Sequence, residues 1–407
     1  MMEAWETKPL GQIVALQRGF DLPVQSRSDG AIAVIGSNGL VGFHNSVPTD
    51  VPIPGLMVGR SGSVGEITFW DTEYWPLNTV LYVKDFHGND PLFLSFWLRL
   101  FPFKQYSEGV SVPTLNRNSI NDVQFLLPKP DDQRKISIAL TAIEVSIRLQ
   151  SEILLKSREL KRAAMRELFT RGLRGEVQVE TEFGLVPETW QTKALDDCAT
   201  VQTGVTKGRK LTDAEMVCVP YLRVANVQDG HLDLSEMKEI RIRRSEVDRY
   251  RLQAGDVVLT EGGDFDKLGR GFIWRGELDL CIHQNHVFAV RPDRTRLLPE
   301  FFAYLAQSAY GKAYFLKVAH KTTNLASINS TKLKAFPVLI PPTLDEQREI
   351  VEILDTIDRK IDLHKRKHTV LEDLFRALLH KLMTGEIRVA DLDLSSLARG
   401  PTEEAAA

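Results

Sequence analysis

Cysteine is scarce, with three residues (Cys198, Cys218, Cys281) in a chain of 407. That scarcity excludes a disulfide scaffold and fits a reducing cytoplasm. Long apolar runs are missing as well. No stretch reaches the roughly 18 apolar residues of a membrane span, so no membrane association is expected. The opening MMEAWETKPLGQ has no apolar segment behind a basic start, so no secretory signal is expected. Charge of one sign is missing too: 51 basic residues stand against 54 acidic ones, a net charge of −3. Residues 1–130 carry 9 basic and 12 acidic groups, and residues 185–343 carry 22 and 19. Neither is the strongly basic footprint of a freestanding DNA binder, so any DNA-holding cations must be gathered on one face or supplied by a partner.

Catalytic signatures are also absent. There is no GxxxxGK[ST] phosphate loop and no Asn/Asp-Pro-Pro-aromatic tetrapeptide of the kind amino-methyltransferases use to grip a base. GRSGSVG (59–65) runs on into a β-like segment, so it reads as a tight hairpin or a backbone-approach loop. Cys281, His283 and His286 fall within CIHQNH, but strand alternation puts only the first two on one face, and no second ligand pair is near. Glu236-Met237-Lys238 follows Asp229 and Asp233 in the order of one nuclease class, in a segment so rich in charge that chance supplies it. Ser111, His44 and His87 have no nucleophile motif around them.

What is present is a repeat. QRKISIALTAIEVSI (from 133) and QREIVEILDTIDRKI (from 347) align at an offset of 214, each preceded by a β-like apolar run and prolines. Apolar residues then recur every 3.5 positions. One seam runs through Ile136, Leu140, Ile143, Ile147 and Leu168, the other through Ile350, Leu354, Ile357, Ile361, Leu371, Phe375 and Leu382. This spacing predicts two long helices, each about 60 Å at roughly 1.5 Å per residue, that bury their seams on each other. Asp131-Asp132 and Asp345-Glu346 put acid at the positive helix starts, and Gly172 and Gly385 sit where C-caps belong. Midway the seams turn polar, at Gln150, Ser157 and Lys161 in one and His364 and His368 in the other. Buried polar residues there would fix register; the other reading is a seam that splays to accept another chain.

The segments before the helices are faintly related. PGLMVGRSGSVGEITFW (54–70) matches AGDVVLTEGGDFDKLGRGFIW (254–274), with a longer loop in the second. LNTVLYVKD (77–85) matches QNHVFAVRP (284–292), setting Asn78 on Asn285. Amphipathic helical stretches follow at 92–106 and 299–315, then VPTLNRNSI (112–120) and TTNLASINSTKL (322–333). Short alternating runs between Gly-rich turns read as strands, so each half is expected to be a mixed α+β globule followed by a long helix. The expected division is globule 1–130, helix 131–172, linker 173–184, globule 185–343, helix 344–386 and a small, polar, disordered tail 387–407. Binding residues are sought where Lys or Arg adjoins small polar groups: Arg60, Ser61 and Ser63; Thr114 and Asn116; Lys207, Arg209 and Lys210; Arg243 and Arg244; Lys321 and Thr322. Arginine and lysine can hold phosphates or guanine edges, and asparagine can read adenine. Arg241 and Arg243 alternate with Ile240 and Ile242, as on the exposed face of a strand.

The tandem plan is more specific than any cluster. A globule leads into P-x-x-D/E-x-QR-x-I, then a heptad helix ending LFT or LMT, and all of it occurs twice (Pro128 to Gly172, Pro341 to Gly385). It resembles the DNA-specificity subunit of type I restriction–modification enzymes, over about 385 of the 407 residues. The resemblance implies two target-recognition globules, with the helices packed as an antiparallel coiled coil that acts as a ruler between unlike half-sites on double-stranded DNA. It implies docking of two modification subunits, which would bind S-adenosylmethionine and methylate adenine, and of restriction/translocase subunits using ATP and Mg²⁺. The chain itself would bind no cofactor or metal and catalyse nothing. A coiled-coil scaffold with two protein-binding globules and no nucleic acid is the alternative.

Overall fold

A computed structural model describes residues 5–109, 111–206, 216–321, 325–389 and 392. The chain divides into two compact units, one of Met1–Ser151 with Arg366–Ala407 and one of Glu152–Lys365. Both divisions fall inside long helices, Pro130–Arg171 and Leu344–Met383.

The two units repeat one strand plan. In the first, a four-stranded antiparallel sheet runs in the order Ala15–Arg18, Val80–Asp85, Gly55–Gly59, Ile67–Trp70. In the second the order is Ala199–Thr203, Val287–Pro292, Val257–Thr260, Gly271–Ile273. The inner strands GLMVG and VVLT are buried along their whole length, which is why they read as continuous apolar runs and not as alternation. A three-stranded sheet adjoins each, its last pairing parallel: Gly39–His44, Ile32–Gly36, Tyr74–Pro76 in the first unit, and Lys238–Arg243, Met216–Leu222, Ile282–His283 in the second. A short ladder closes each globule, Glu6–Pro9 on Gln124–Leu127 and Gln191–Ala194 on Pro337–Ile340.

One device ties globule to helix in both units. Gln133, wholly buried in the first turn of its helix, accepts the Asp90 backbone N–H at 2.9 Å and donates to Asn89 Oδ1 and the Pro128 carbonyl, both at 2.9 Å. Gln347, also buried, accepts the Leu298 N–H at 2.9 Å and donates to the Arg296 carbonyl at 3.0 Å. Asp90 and Leu298 are the N-caps of the inner helices Pro91–Leu98 and Pro299–Gln307, each with proline in its first turn. A buried amide side chain at a repeated position thus satisfies one of the orphan N–H groups at each helix start.

The long helices run antiparallel within each unit. In the first unit Ile136 and Leu140, from the start of one, join the core holding Leu379, Leu382 and Met383, from the end of the other. In the second unit Met165, Leu168 and Phe169 share a core with Ile350 and Leu354. Ile143, Ile147, Ile357, Ile361, Leu371 and Phe375 are only half-buried. Two helices alone cannot enclose a seam; burial is complete only where globule elements add a third layer. Lys161 and His368 among the polar seam positions are bonded. Lys161 Nζ lies 2.7 Å from Asp358 Oδ1, and Tyr304 donates to Asp355 Oδ1 at 2.6 Å and Asp358 Oδ2 at 2.8 Å. Burial, then these carboxylates, pushes the Tyr304 hydroxyl well above its ordinary value. In the first unit Ser151 Oγ and His368 Nε2 are 2.8 Å apart. These bonds favour register control over a splayed seam.

Four expectations need correction. The expected linker 173–184 holds most of a hairpin, Gln178–Thr181 on Gly184–Pro187, because Phe183, Val186 and Trp190 pack on the second unit's core. The tail is not wholly loose from 387 onward; Val389 is buried in the first unit's core, with Ile387 and Leu392 against it, and residues 393–407 lie outside the described ones. The stretch 92–106 is not amphipathic, since Phe93 to Leu98 are all buried. The stretch 299–315 is two helices, Pro299–Gln307 and Ala309–Val318, broken where the Ser308 side chain accepts the Gly311 N–H at 3.2 Å.

Candidate nucleic-acid interface

In the first unit a cleft of about 680 Å³ opens beside the end of the inner strand, lined by Gln17, Arg18, Arg60, Leu81, Glu108, Thr114, Leu115, Asn116 and Arg117. Backbone bonds assemble it. The Arg60 N–H donates to the Thr79 carbonyl at 2.8 Å, the Ser61 N–H donates to the same carbonyl at 3.2 Å, and the Arg60 carbonyl accepts the Leu115 N–H at 2.8 Å. Ser61 bridges Thr114 antiparallel. Gly62, at φ +85°, takes the left-handed conformation that lets the chain turn, and the Ser63 hydroxyl donates to the Asn38 side-chain oxygen. Arg60 is half-buried, with Nη1 donating to the Asn78 carbonyl at 3.3 Å, and Asn78 in turn donates to Asp21. Arg117 Nη1 donates to the Leu16 carbonyl at 3.1 Å. Asn116, exposed, accepts the Asn118 N–H at 3.1 Å. Three of the nine cations of residues 1–130 thus stand around one cleft, with Glu108 in its lining and Asp21 paired to Arg18 at 3.4 Å. Guanidinium groups beside amides can hold phosphates and read base edges.

A glycine follows the outer strand in each globule. Gly19 and Gly204 end the outer strands, and a Cβ on either would fall 2.2 Å from the Leu77 carbonyl oxygen or 2.1 Å from that of His283. The chain then runs parallel to the Asn segment, with Phe20 bridging Leu77 and Val205 bridging Gln284.

In the second unit the matching strand end carries Glu261, whose Oε2 is 2.5 Å from His286 Nδ1. After it, Gly262–Gly263, Ala326–Ser327 and His320–Lys321 form a small sheet that holds the exposed Lys321. Arg243 and Arg244 stand exposed at the end of the edge strand Lys238–Arg243, with Ile242 buried between outward arginines. Lys207, Arg209, Lys210 and Thr322 lie outside the described residues. The structure therefore brings together Arg60, Ser61, Thr114 and Asn116, while in the second globule Arg243 and Lys321 sit on two different sheets. Gln17, Arg18, Glu108, Arg117 and Glu261 were not singled out from sequence. Arg117 lay within the quoted VPTLNRNSI, whereas Glu261 carries no signal in a search for cations.

The CIHQNH residues do not form one site. Cys281 and His283 are buried, His283 Nδ1 lies 2.6 Å from the Val287 carbonyl, and His286 is exposed beside Glu261. Among the described residues no three His, Cys, Asp or Glu side chains are grouped to hold a metal ion. None of the described helices is long and apolar enough to cross a membrane.

Comparison with solved structures gives the fold. The S subunit of a type I restriction–modification system from M. genitalium superposes with a TM-score of 0.61 at 14% identity, covering 93% of this chain and 96% of that one. A chain from a study of complex assembly and conformational transition of the type I restriction–modification system gives 0.53 at 17%, covering 95% and 99%. The family model for the type I restriction modification DNA specificity domain matches residues 2–156 and 187–373, and the chain belongs to that family. Curated relatives include the type I restriction enzyme MjaVIII specificity subunit of Methanocaldococcus jannaschii, 25% identical over 75% of this chain and 72% of its own length. The EcoKI specificity subunit of Escherichia coli K12 is 28% identical over 41% of this chain and 37% of its own length. The chain spans about half the length (48%) of another Methanocaldococcus jannaschii relative, at 27% identity.

Proposed function

We propose that this chain is the non-catalytic subunit that gives a type I restriction–modification complex its DNA sequence specificity. Each globule reads one half of a bipartite double-stranded target, and the halves differ. The observation that carries this reading is one strand plan built twice, with a cation-rich cleft at the strand end of the first copy and a different side-chain set at the same end of the second. Like scaffolds with unlike reading edges suit an asymmetric target. The two long helices serve as the ruler that sets the unread spacer, and their outer faces dock two adenine-methyltransferase modification subunits. Those subunits bind S-adenosylmethionine; restriction/translocase subunits use ATP and Mg²⁺. The partners also supply much of the phosphate neutralisation that a chain of net charge −3 does not.

The test is methylome sequencing of cells carrying the chain with its modification subunit, compared with cells lacking only this chain. The expected result is a methylated-adenine motif of two unlike halves with a fixed gap, lost on deletion. An intact motif after deletion would refute the reading. Inserting one heptad in both helices should lengthen the gap and leave both halves unchanged.

A further inference from the structure

The two globules present opposite chemistry at one topological position. Gly59 stands opposite Val80 in the first sheet, and Thr260 opposite Val287 in the second. The next residues are Arg60 and Glu261. The Arg60 N–H donates to the Thr79 carbonyl at 2.8 Å, and the Glu261 N–H to the His286 carbonyl at 2.9 Å. The Arg60 carbonyl accepts the Leu115 N–H, and the Glu261 carbonyl the Ile328 N–H, both at 2.8 Å. Ser61 then bridges Thr114, as Gly262 pairs with Ser327. The backbone bonds correspond, while the side chains change: a guanidinium gives way to a carboxylate, and Thr79 opposite it to His286.

A carboxylate at the reading edge of a protein that binds a polyanion is costly unless it meets a donor. In the major groove, guanine, adenine and thymine each present at least one acceptor that repels a carboxylate, whereas cytosine presents its N4 amino group alone. The Glu261 side chain is 28% exposed, and its Oε2 lies 2.5 Å from His286 Nδ1, which orients the group and leaves Oε1 to accept. Resting on the DNA-recognition reading above, we propose that Glu261 is the base-discriminating residue of the second half-site and accepts from cytosine N4, with His286 as its positioning residue. Arg60, at the equivalent place, takes a guanine edge in the first half-site.

The experiment uses the chain assembled with its modification subunits and maps the methylated motif of wild type, Glu261→Gln and Arg60→Lys. Glu261→Gln should relax a single C·G position of the second half-site, cutting a preference of about tenfold or more to about threefold, with adenine newly tolerated because a glutamine amide pairs with it. The first half-site should not change. Arg60→Lys keeps the charge and loses the bidentate fork, so it should relax one G·C position of the first half-site alone. An unaltered motif in Glu261→Gln, or relaxation spread over every position, would overturn the proposal. Should Glu261→Gln fail to assemble, His286→Gln is read instead; it should blur the same base pair, and an unblurred motif refutes the assignment. If the wild-type complex yields no motif that depends on this chain, the broader reading fails. A wild-type motif with unresponsive variants sinks only this one.

Discussion

Replacing Gln347 by leucine should cost about 2–4 kcal/mol. The substitution keeps the volume of a side chain that is 1% exposed and deletes its polar head. Two bonds vanish, the acceptor for the Leu298 N–H at 2.9 Å and the donor to the Arg296 carbonyl at 3.0 Å. An orphaned buried donor costs about 1–3 kcal/mol, and the carbonyl adds about 1 kcal/mol more. Leucine's own burial returns part of this, so the lower half of the range is favoured. Leu298 is the N-cap of Pro299–Gln307, so the loss should also loosen that helix start. Urea unfolding gives the total, and native-state hydrogen exchange by mass spectrometry gives the place: the Leu298 amide should lose protection before the strands do. Gln133→Leu should act likewise on the Asp90 amide. A change under about 0.5 kcal/mol, with Leu298 still protected, would show that the repeated glutamine is not a structural tie.

Three further outcomes are expected. Lys161→Met should destabilise by about 1–3 kcal/mol in urea unfolding, because Asp358, which also takes the Tyr304 hydroxyl, loses its cation in a half-buried setting; no loss would mean that the pair is ornamental. Burial holds the His283 imidazole below its ordinary value of 6.5. The unfolded chain therefore takes up a proton first as pH falls, so stability is full above about 6.5 and is lost as pH drops from there toward the folded value; His283→Gln should flatten that slope of the urea midpoint. Burial pushes the Cys198 thiol up to about 11 and Cys281 up to about 12, and Cys218 is exposed. A thiol reagent should therefore titrate one cysteine in the native protein and three in denaturant.

The long helices were legible because a 3.5-residue period sustained over five heptads leaves few other structures open. The repeated Gln-Arg was legible as a motif but not as a tie, since its partners Asp90 and Leu298 lie 43 and 49 residues upstream. Gly19 and Gly204 carry no sequence signal, because only the fold brings a carbonyl to the place of their missing Cβ. The hairpin at 178–187 was hidden by its polar composition; Val186 and Trp190 supply its apolar contact from outside the expected linker. The cleft drew on Arg60, Thr114 and Asn116, which sequence chemistry had singled out, and on Arg18 and Glu108, which only the strand pairing carries there. Glu261 was obscured twice, by the longer loop that follows it and by the change of charge itself.

The acidic balance of the first globule is no obstacle to a DNA-binding surface. At physiological ionic strength a charge is felt over about 8 Å, so phosphates respond to the groups around a cleft and not to the sum over residues 1–130. Three arginines around one cleft, against Glu108 in its lining and Asp21 paired to Arg18, leave an excess of positive charge there although the region as a whole is negative. The same locality would let one scaffold serve the two half-sites proposed above. The bonds that fix the strand ends are main-chain bonds, from Arg60 to Thr79 and Leu115 and from Glu261 to His286 and Ile328, and these survive any side chain compatible with the conformation. Stability is drawn from the buried strands and the glutamine ties, so the residue at the strand end is free to change sign without weakening what holds it.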